Sequence, residues 1–259
     1  MKLMINHQTH YQYTEAAQNS IQYIKMTPQN NAHQQVLSWA VSVPGQILQH
    51  VDSFKNIWHT STQRYAYQNL IIMAQGTVEI NPDSQYAIET MVNPLIFLQP
   101  TPSTLCSAEM KAFALQYVPV VNQKNLHELS QAVLTHMPYV SLSTAVYTTA
   151  IEAFEHGQGV CQDHSHVFIA MCRAIGVPAR YASGYLYVPD QSHLASHAWA
   201  EVFLDNNWYS FDISNQLYTP SSHIYVAIGR DYWDVAPVRG VREKGGVESM
   251  SSIVQVLPC

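Results

Sequence analysis

The chain has 259 residues, of which 47% are hydrophobic and only 12% charged, against about 25% charged in an average soluble domain. Twelve Lys and Arg against eighteen Asp and Glu leave a formal net charge of −6, and no basic cluster is visible, which argues against a nucleic-acid-binding surface. The N-terminal "MKLMINHQTHYQY" lacks the continuous apolar core of a secretory signal, and no stretch reaches the ~18 apolar residues of a membrane span; a cytoplasmic protein with no nucleic-acid or membrane partner is expected.

The first hundred residues read as antiparallel β-sheet with one solvated face. In "KLMINHQTHYQY" the apolar Leu3, Ile5, Tyr11 and Tyr13 share one parity. "VLSWAVSV" alternates Leu37, Trp39, Val41 and Val43 before a Pro44-Gly45 stop. "NLIIMAQGTVEI" is a further strand, expected to break at Gly76 and to end near Asn81-Pro82.

The pattern changes after the Pro-containing connector "NPLIFLQPTPST", residues 93 to 104. Leu126, Leu129, Val133 and Met137 recur at helical spacing and stop before Pro138. Thr149 with Glu152 three residues later forms a capping box for a short helix ending at Gly157. A helix from about Cys161 to Arg173 follows, with His164, Val167, Phe168, Met171, Ala174 and Ile175 on one face. Gly176 suits the left-handed residue after its end, and Pro178 forbids its continuation. "ARYASGYLYV", "HAWAEVFLD" and "WYSFDIS" then read as strands, the last two joined by a turn at Asp205-Asn206-Asn207. Helices followed by an antiparallel sheet make an α+β layout.

Cysteines at 106, 161, 172 and 259 are too unevenly spaced for a disulfide framework, and none forms a Cys-x-x-Cys pair. Cys161 opens its helix, where unpaired backbone N–H groups and the helix dipole stabilise a thiolate and can also hold an oxyanion. Three plainer readings stand beside this. Cysteine is often a buried apolar residue, and Cys172 fits that role. "C-x-x-H-x-H" resembles half a metal site, but Cys161, His164 and His166 cannot all converge from one helix. His164 and His166 otherwise cover the helix surface, the role expected of His166.

A cysteine nucleophile needs a base, and the base an orienting group. His197 and Asp212, on successive strands, supply both types. An Asn206-Asn207 turn would pair Asp212 with Glu201, four residues from His197. At roughly 3.3 Å per residue that leaves about 13 Å along the strand, so the two meet only if a bulge or a different loop shifts the register.

"GVCQDHSHVFIAMCRAIGVPARYASGYL", "SHAWAEVFL" and "WYSFDIS" resemble the bacterial transglutaminase-like family of the papain-like cysteine-enzyme superfamily. "VAIGRDYWDVAPVRG" resembles the segment that follows the family's aspartate, and "VDSFKN" and "PLIFLQPT" its N-terminal β domain. The resemblance implies a β-sandwich-like domain over residues 1–100 and a transglutaminase-like catalytic domain over 101–259. It implies a Cys161–His197–Asp212 triad that attacks a carboxamide or peptide-type amide through a thioester, with water or an amine as acceptor. The expected partner is a peptide or protein amide, with no cofactor and no metal; a peptidase of the same fold and an idle interaction module are the alternatives. Gln162, Trp199 and Tyr139 are candidate substrate or oxyanion contacts, with Thr144 and Tyr147 nearby. Four positions depart from the family pattern: Lys55 stands where Gly is common, Ile213-Ser214 where Pro-Thr is usual, and His164 where an aromatic is common.

Overall fold

The computed structural model describes residues 1–89, 91–189, 191 and 196–259. Two antiparallel sheets carry the fold. The larger has seven strands in the order β2 (Gln34–Ser42), β5 (Tyr67–Ile80), β1 (Lys2–Thr27), β4 (Ile57–Gln63), β3 (Gln46–Val51), with β10 (Val238–Lys244) and β11 (Glu248–Pro258) also paired to β1; the smaller runs β8 (Asn207–Phe211), β7 (His197–Leu204), β6 (Ala179–Leu186), β9 (His223–Gly229).

β1 (Lys2–Thr27) explains the larger sheet. It buries Leu3, Ile5, His7 and Thr9 at odd positions but Ser20, Gln22, Ile24 and Met26 at even ones. The parity changes across an irregular stretch where Asn19 has φ 48° and the pairings slip. Because side chains alternate, one inserted position turns all later ones to the other face. The first half of β1 pairs with β5 (Tyr67–Ile80) and β11 (Glu248–Pro258), the second with β4 (Ile57–Gln63) and β10 (Val238–Lys244). Tyr13, Ile24, Met26, Leu70 and Ile72 meet in one cluster, so the sheet folds over on itself.

Two expectations change here. In β2 (Gln34–Ser42) Trp39 and Val41 pack inward, as does Val43 just beyond it, but Leu37 is exposed. The β2–β5 register slips between Val36 and Ser38, and Val36 packs inward in its place. Gly76 does not break β5: the strand runs through it, and a Cβ there would lie 2.1 Å from the Ser38 carbonyl oxygen. The glycine lets the slipped strand approach. β3 (Gln46–Val51) closes the far edge.

The second unit contributes α1 (Ala108–Tyr117), α2 (Gln123–His136), α3 (Ala150–His156) and α4 (Cys161–Ala174). Leu126, Leu129, Val133 and Met137 are all buried, and Thr149 and Glu152 form the expected capping box. β6 (Ala179–Leu186), β7 (His197–Leu204), β8 (Asn207–Phe211) and β9 (His223–Gly229) follow, and α5 (Tyr232–Val235) leads into β10. β6 and β9 are buried at every position, hence covered on both faces.

The chain returns across the expected division at residue 100. β10 and β11 lie within 101–259 yet complete the N-terminal sheet. Leu3, Ile5, Val78, Val254 and Val256 also share one continuous core with Val133, Phe168, Met171, Ala200 and Phe211. Composition alone marks the change from sheet to helix, not the return of the chain to its first strand.

Candidate active site

Cys161 is the first residue of α4, and the chain reaches it through Gly159. A Cβ at 159 would lie 2.7 Å from that of Asp163, so glycine permits the tight entry. Asp163 is buried and accepts from the Val160 N–H (2.8 Å) and the Thr144 hydroxyl (2.6 Å). It caps the helix start and holds Thr144 against it, leaving the first-turn N–H groups of α4 outside the intrahelical ladder.

His197 and Asp212 come together. The turn is Asp205-Asn206, both at positive φ, and Leu204 pairs with Asn207. This is the two-residue turn suited to a twisted hairpin. It places Phe211 opposite Ala200, which brings Asp212 level with Trp199 rather than Glu201. His197 and Asp212 become diagonal neighbours on one face, with Nε2 of His197 2.7 Å from Oδ2 of Asp212. The register shift the sequence demanded is one residue of turn placement.

Nε2 donates to the carboxylate, and Cys161 lies across the same cleft, near enough to His197 to bias its charge. Burial alone would lower the His197 pKa. The hydrogen bonds to Asp212 and Cys161, together with their negative charge, outweigh it and raise the pKa to about 10. Burial would likewise raise the Asp212 carboxyl, but donors from His197 and His223 hold it well below the carboxylate range. Asp212 Oδ2 accepts from His197, from His223 Nε2 (3.1 Å) and from Asn215 Nδ2 (2.9 Å); Oδ1 accepts from the Asn215 N–H (3.1 Å). Mutual backbone bonds between Asp212 and Leu217 close the loop that carries Ser214 and Asn215.

A cleft of roughly 230 Å³ opens over Cys161 and His197, walled by Tyr139, Leu186, Ser196 and Asn215. Tyr139 is half exposed and bridges to Gly159. Burial and the nearby Cys161 sulfur both raise its phenol pKa. The other soft candidates are placed elsewhere. Trp199 is fully buried and stacks behind His197 at 6.0 Å, outside the cleft lining. The Gln162 side chain donates to the Val146 carbonyl (2.9 Å) and pins the preceding loop. Tyr147 is exposed and outside the cleft.

His166 does not cover the helix surface: it is fully buried, and its Nε2 accepts from the Tyr232 N–H at 3.1 Å. Burial lowers its pKa to about 3. His164 is buried too. Its Nε2 donates to the Met137 carbonyl (2.7 Å), so Nδ1 accepts from the Ser214 hydroxyl (2.8 Å). Two departures from the family pattern, His164 and Ser214, thus answer each other. A third, Lys55, sits at φ 71°, where glycine costs least. Cys161, His164 and His166 do not form a metal set; among the described residues, the one cluster with convergent ligand atoms is His197, Asp212 and His223, within 4.8 Å of one another.

Sequence reasoning missed His223 and Asn215. Asn215 lay in plain view after "FDIS", where an amide three residues past an aspartate is a common turn partner. His223 opens a strand with no motif around it, and only the fold brings it to Asp212.

Comparisons with known proteins agree with this architecture. The family described as the transglutaminase-like superfamily matches residues 119–213, and the bacterial transglutaminase-like N-terminal region matches residues 3–79. An uncharacterized Mycobacterium leprae protein is 25% identical over 280 residues, covering 98% of each chain. An uncharacterized Mycobacterium tuberculosis protein is 26% identical over 288 residues, covering 98% of this chain and 92% of its own. A Cytophaga hutchinsonii crystal structure, described as a candidate cysteine protease, superposes with a TM-score of 0.81 at 20% identity, covering 99% of this chain and 90% of that one. With its N-terminal region and its core both matched, and with one fold running through them, the chain resembles the bacterial transglutaminase-like family over both parts.

Proposed function

We propose that the protein is a thiol enzyme that opens a carboxamide or peptide-type amide. The supporting observation is His197 held between Cys161 and a buried, fully hydrogen-bonded Asp212. The Cys161 thiolate attacks the amide carbonyl carbon, and first-turn N–H groups of α4 receive the oxyanion. His197, as imidazolium, gives its proton to the departing nitrogen as the C–N bond breaks, leaving a thioester and free ammonia or amine. An amine or water then adds, His197 takes its proton, and the C–S bond breaks to return the thiolate. Asp212 keeps the imidazole oriented and stabilises its charge.

A peptide or protein amide is the proposed donor, with an amine acceptor for transfer. The second reading, hydrolysis by a cysteine peptidase or amidase, differs only in using water; the likeness to the Cytophaga hutchinsonii protein favours it. Iodoacetamide labelling from pH 5 to 9, with His197→Ala as control, tests the nucleophile. An ordinary thiol is only about 0.3% ionised at pH 6, so His197→Ala should slow Cys161 labelling there about a hundredfold. Equal labelling of all exposed cysteines in the native protein would end the proposal. Ammonia release from a glutamine peptide, with and without a primary amine, then separates transfer from hydrolysis.

A further inference from the structure

We infer that His223 is a positioning residue for the reaction proposed above: it fixes the Asp212 oxygen that His197 uses, and the N-terminal sheet fixes His223. This deepens the reading of Cys161 as a nucleophile and rests on it.

The geometry is specific. His223 opens β9, is fully buried, and directs Nε2 to the same Oδ2 that His197 contacts. A carboxylate oxygen can only accept, so Nε2 carries the proton and Nδ1 does not. The other ionisable groups around the ring are His197 and Glu201 on β7 and His33, which precedes β2. Burial keeps the ring neutral. A neutral donor orders the carboxylate without adding a positive charge that would compete with an imidazolium at His197.

The ring and its backbone are both held. The ring lies 4.6 Å from Trp199, which backs His197. The His223 carbonyl accepts from His33 Nε2 at 2.8 Å. Beyond it, the Gln34 amide makes two bonds to the Tyr225 peptide groups, N–H to Oε1 at 2.7 Å and Nε2 to carbonyl at 2.9 Å. A path of direct contacts thus runs from His33 through His223 and Asp212 to His197, and gives the N-terminal sheet a part in setting the site.

The test measures the pH midpoint of Cys161 iodoacetamide labelling in the full chain carrying His223→Gln or His223→Asn, beside the native protein. Gln places an amide N–H where Nε2 lies, whereas Asn places it nearer Nδ1. We expect Gln to keep the native midpoint. Asn should move it upward and slow labelling at pH 6 by roughly tenfold, the scale of one hydrogen bond to a charged group. His33→Phe should move the midpoint the same way by less. A shared midpoint for Gln, Asn and native protein, all folded by circular dichroism, overturns the inference while leaving the nucleophile reading intact. A native protein whose Cys161 labels like an ordinary thiol overturns both.

Discussion

The two sheets handle buried polarity differently. In the seven-stranded sheet, buried Thr9, Ser20 and Gln22 sit on strands whose alternate positions reach solvent. In the four-stranded sheet, Arg180, Glu201, Asp212 and His223 are fully buried between two covered faces. Polar groups there must satisfy one another, because water cannot do it. Arg180 Nε meets Glu201 Oε2 at 2.6 Å and its guanidinium lies 3.9 Å over Trp208, while Tyr225 gives its hydroxyl to Glu201 Oε1 at 2.5 Å. The comparison teaches that a doubly covered sheet can hold a carboxylate dry and aimed, as Asp212 is held.

Acid should expose the contrast most strongly. Burial lowers the pKa of His7 to about 4 and of His166 to about 3, and also lowers those of His33, His164 and His223. Their folded values lie below the unfolded 6.5, so the unfolded chain takes up protons first. Stability is whole above that pH and drains as pH falls towards 4. Four of the five surround the smaller sheet or its helix, and together they should cost several kcal/mol by about pH 5. Thermal melts at pH 7 and 5 should differ by on the order of 10 °C; equal melts would show that these rings are not buried neutral. His197 has the opposite sign: with its pKa raised to about 10, its share is whole below 6.5 and is lost as pH rises through 10.

Glu201→Ala comes next in size. It leaves the Arg180 guanidinium and the Tyr225 hydroxyl without their shared partner and should cost about 3–5 kcal/mol in urea unfolding. A loss below about 1 kcal/mol would mean that the interior of this sheet is wetter than its burial indicates. The smallest effect belongs to the outer face of the larger sheet. Ile253, 50% exposed on β11, should tolerate Thr within about 0.5 kcal/mol; a larger loss would reveal a covered face.

Local physics made part of this legible before the fold was known. An apolar face and stop signals located α4 and placed Cys161 at its start, and strand-like runs bounded by a turn located β6, β7 and β8. The hairpin failed by one residue because Asp205, Asn206 and Asn207 all suit a turn, and only the pairing of Leu204 with Asn207 selects between them. Side chains that converge from distant strands were out of reach: His223 on Asp212, and Ser214 on His164. So was the parity change inside β1, which depends on a single left-handed residue at Asn19.

The grip on β9 has a consequence for how the molecule can be divided. Gln34 pairs with the peptide groups of Tyr225 and Asn56 with those of Ile228, each amide standing in for a missing strand. The backbone groups of Tyr225 and Ile228 both face away from β6 because Val226 is an extra residue opposite Ser183 and Gly184. These side chains therefore end the smaller sheet, much as a selvedge stops cloth from unravelling. Cut away from residues 1–100, the remaining chain would bare a raw strand edge, and edges of that kind seek one another. A core lacking residues 1–100 should therefore run larger on a sizing column than the full chain, and Gln34→Ala with Asn56→Ala in the full chain should move it the same way by less.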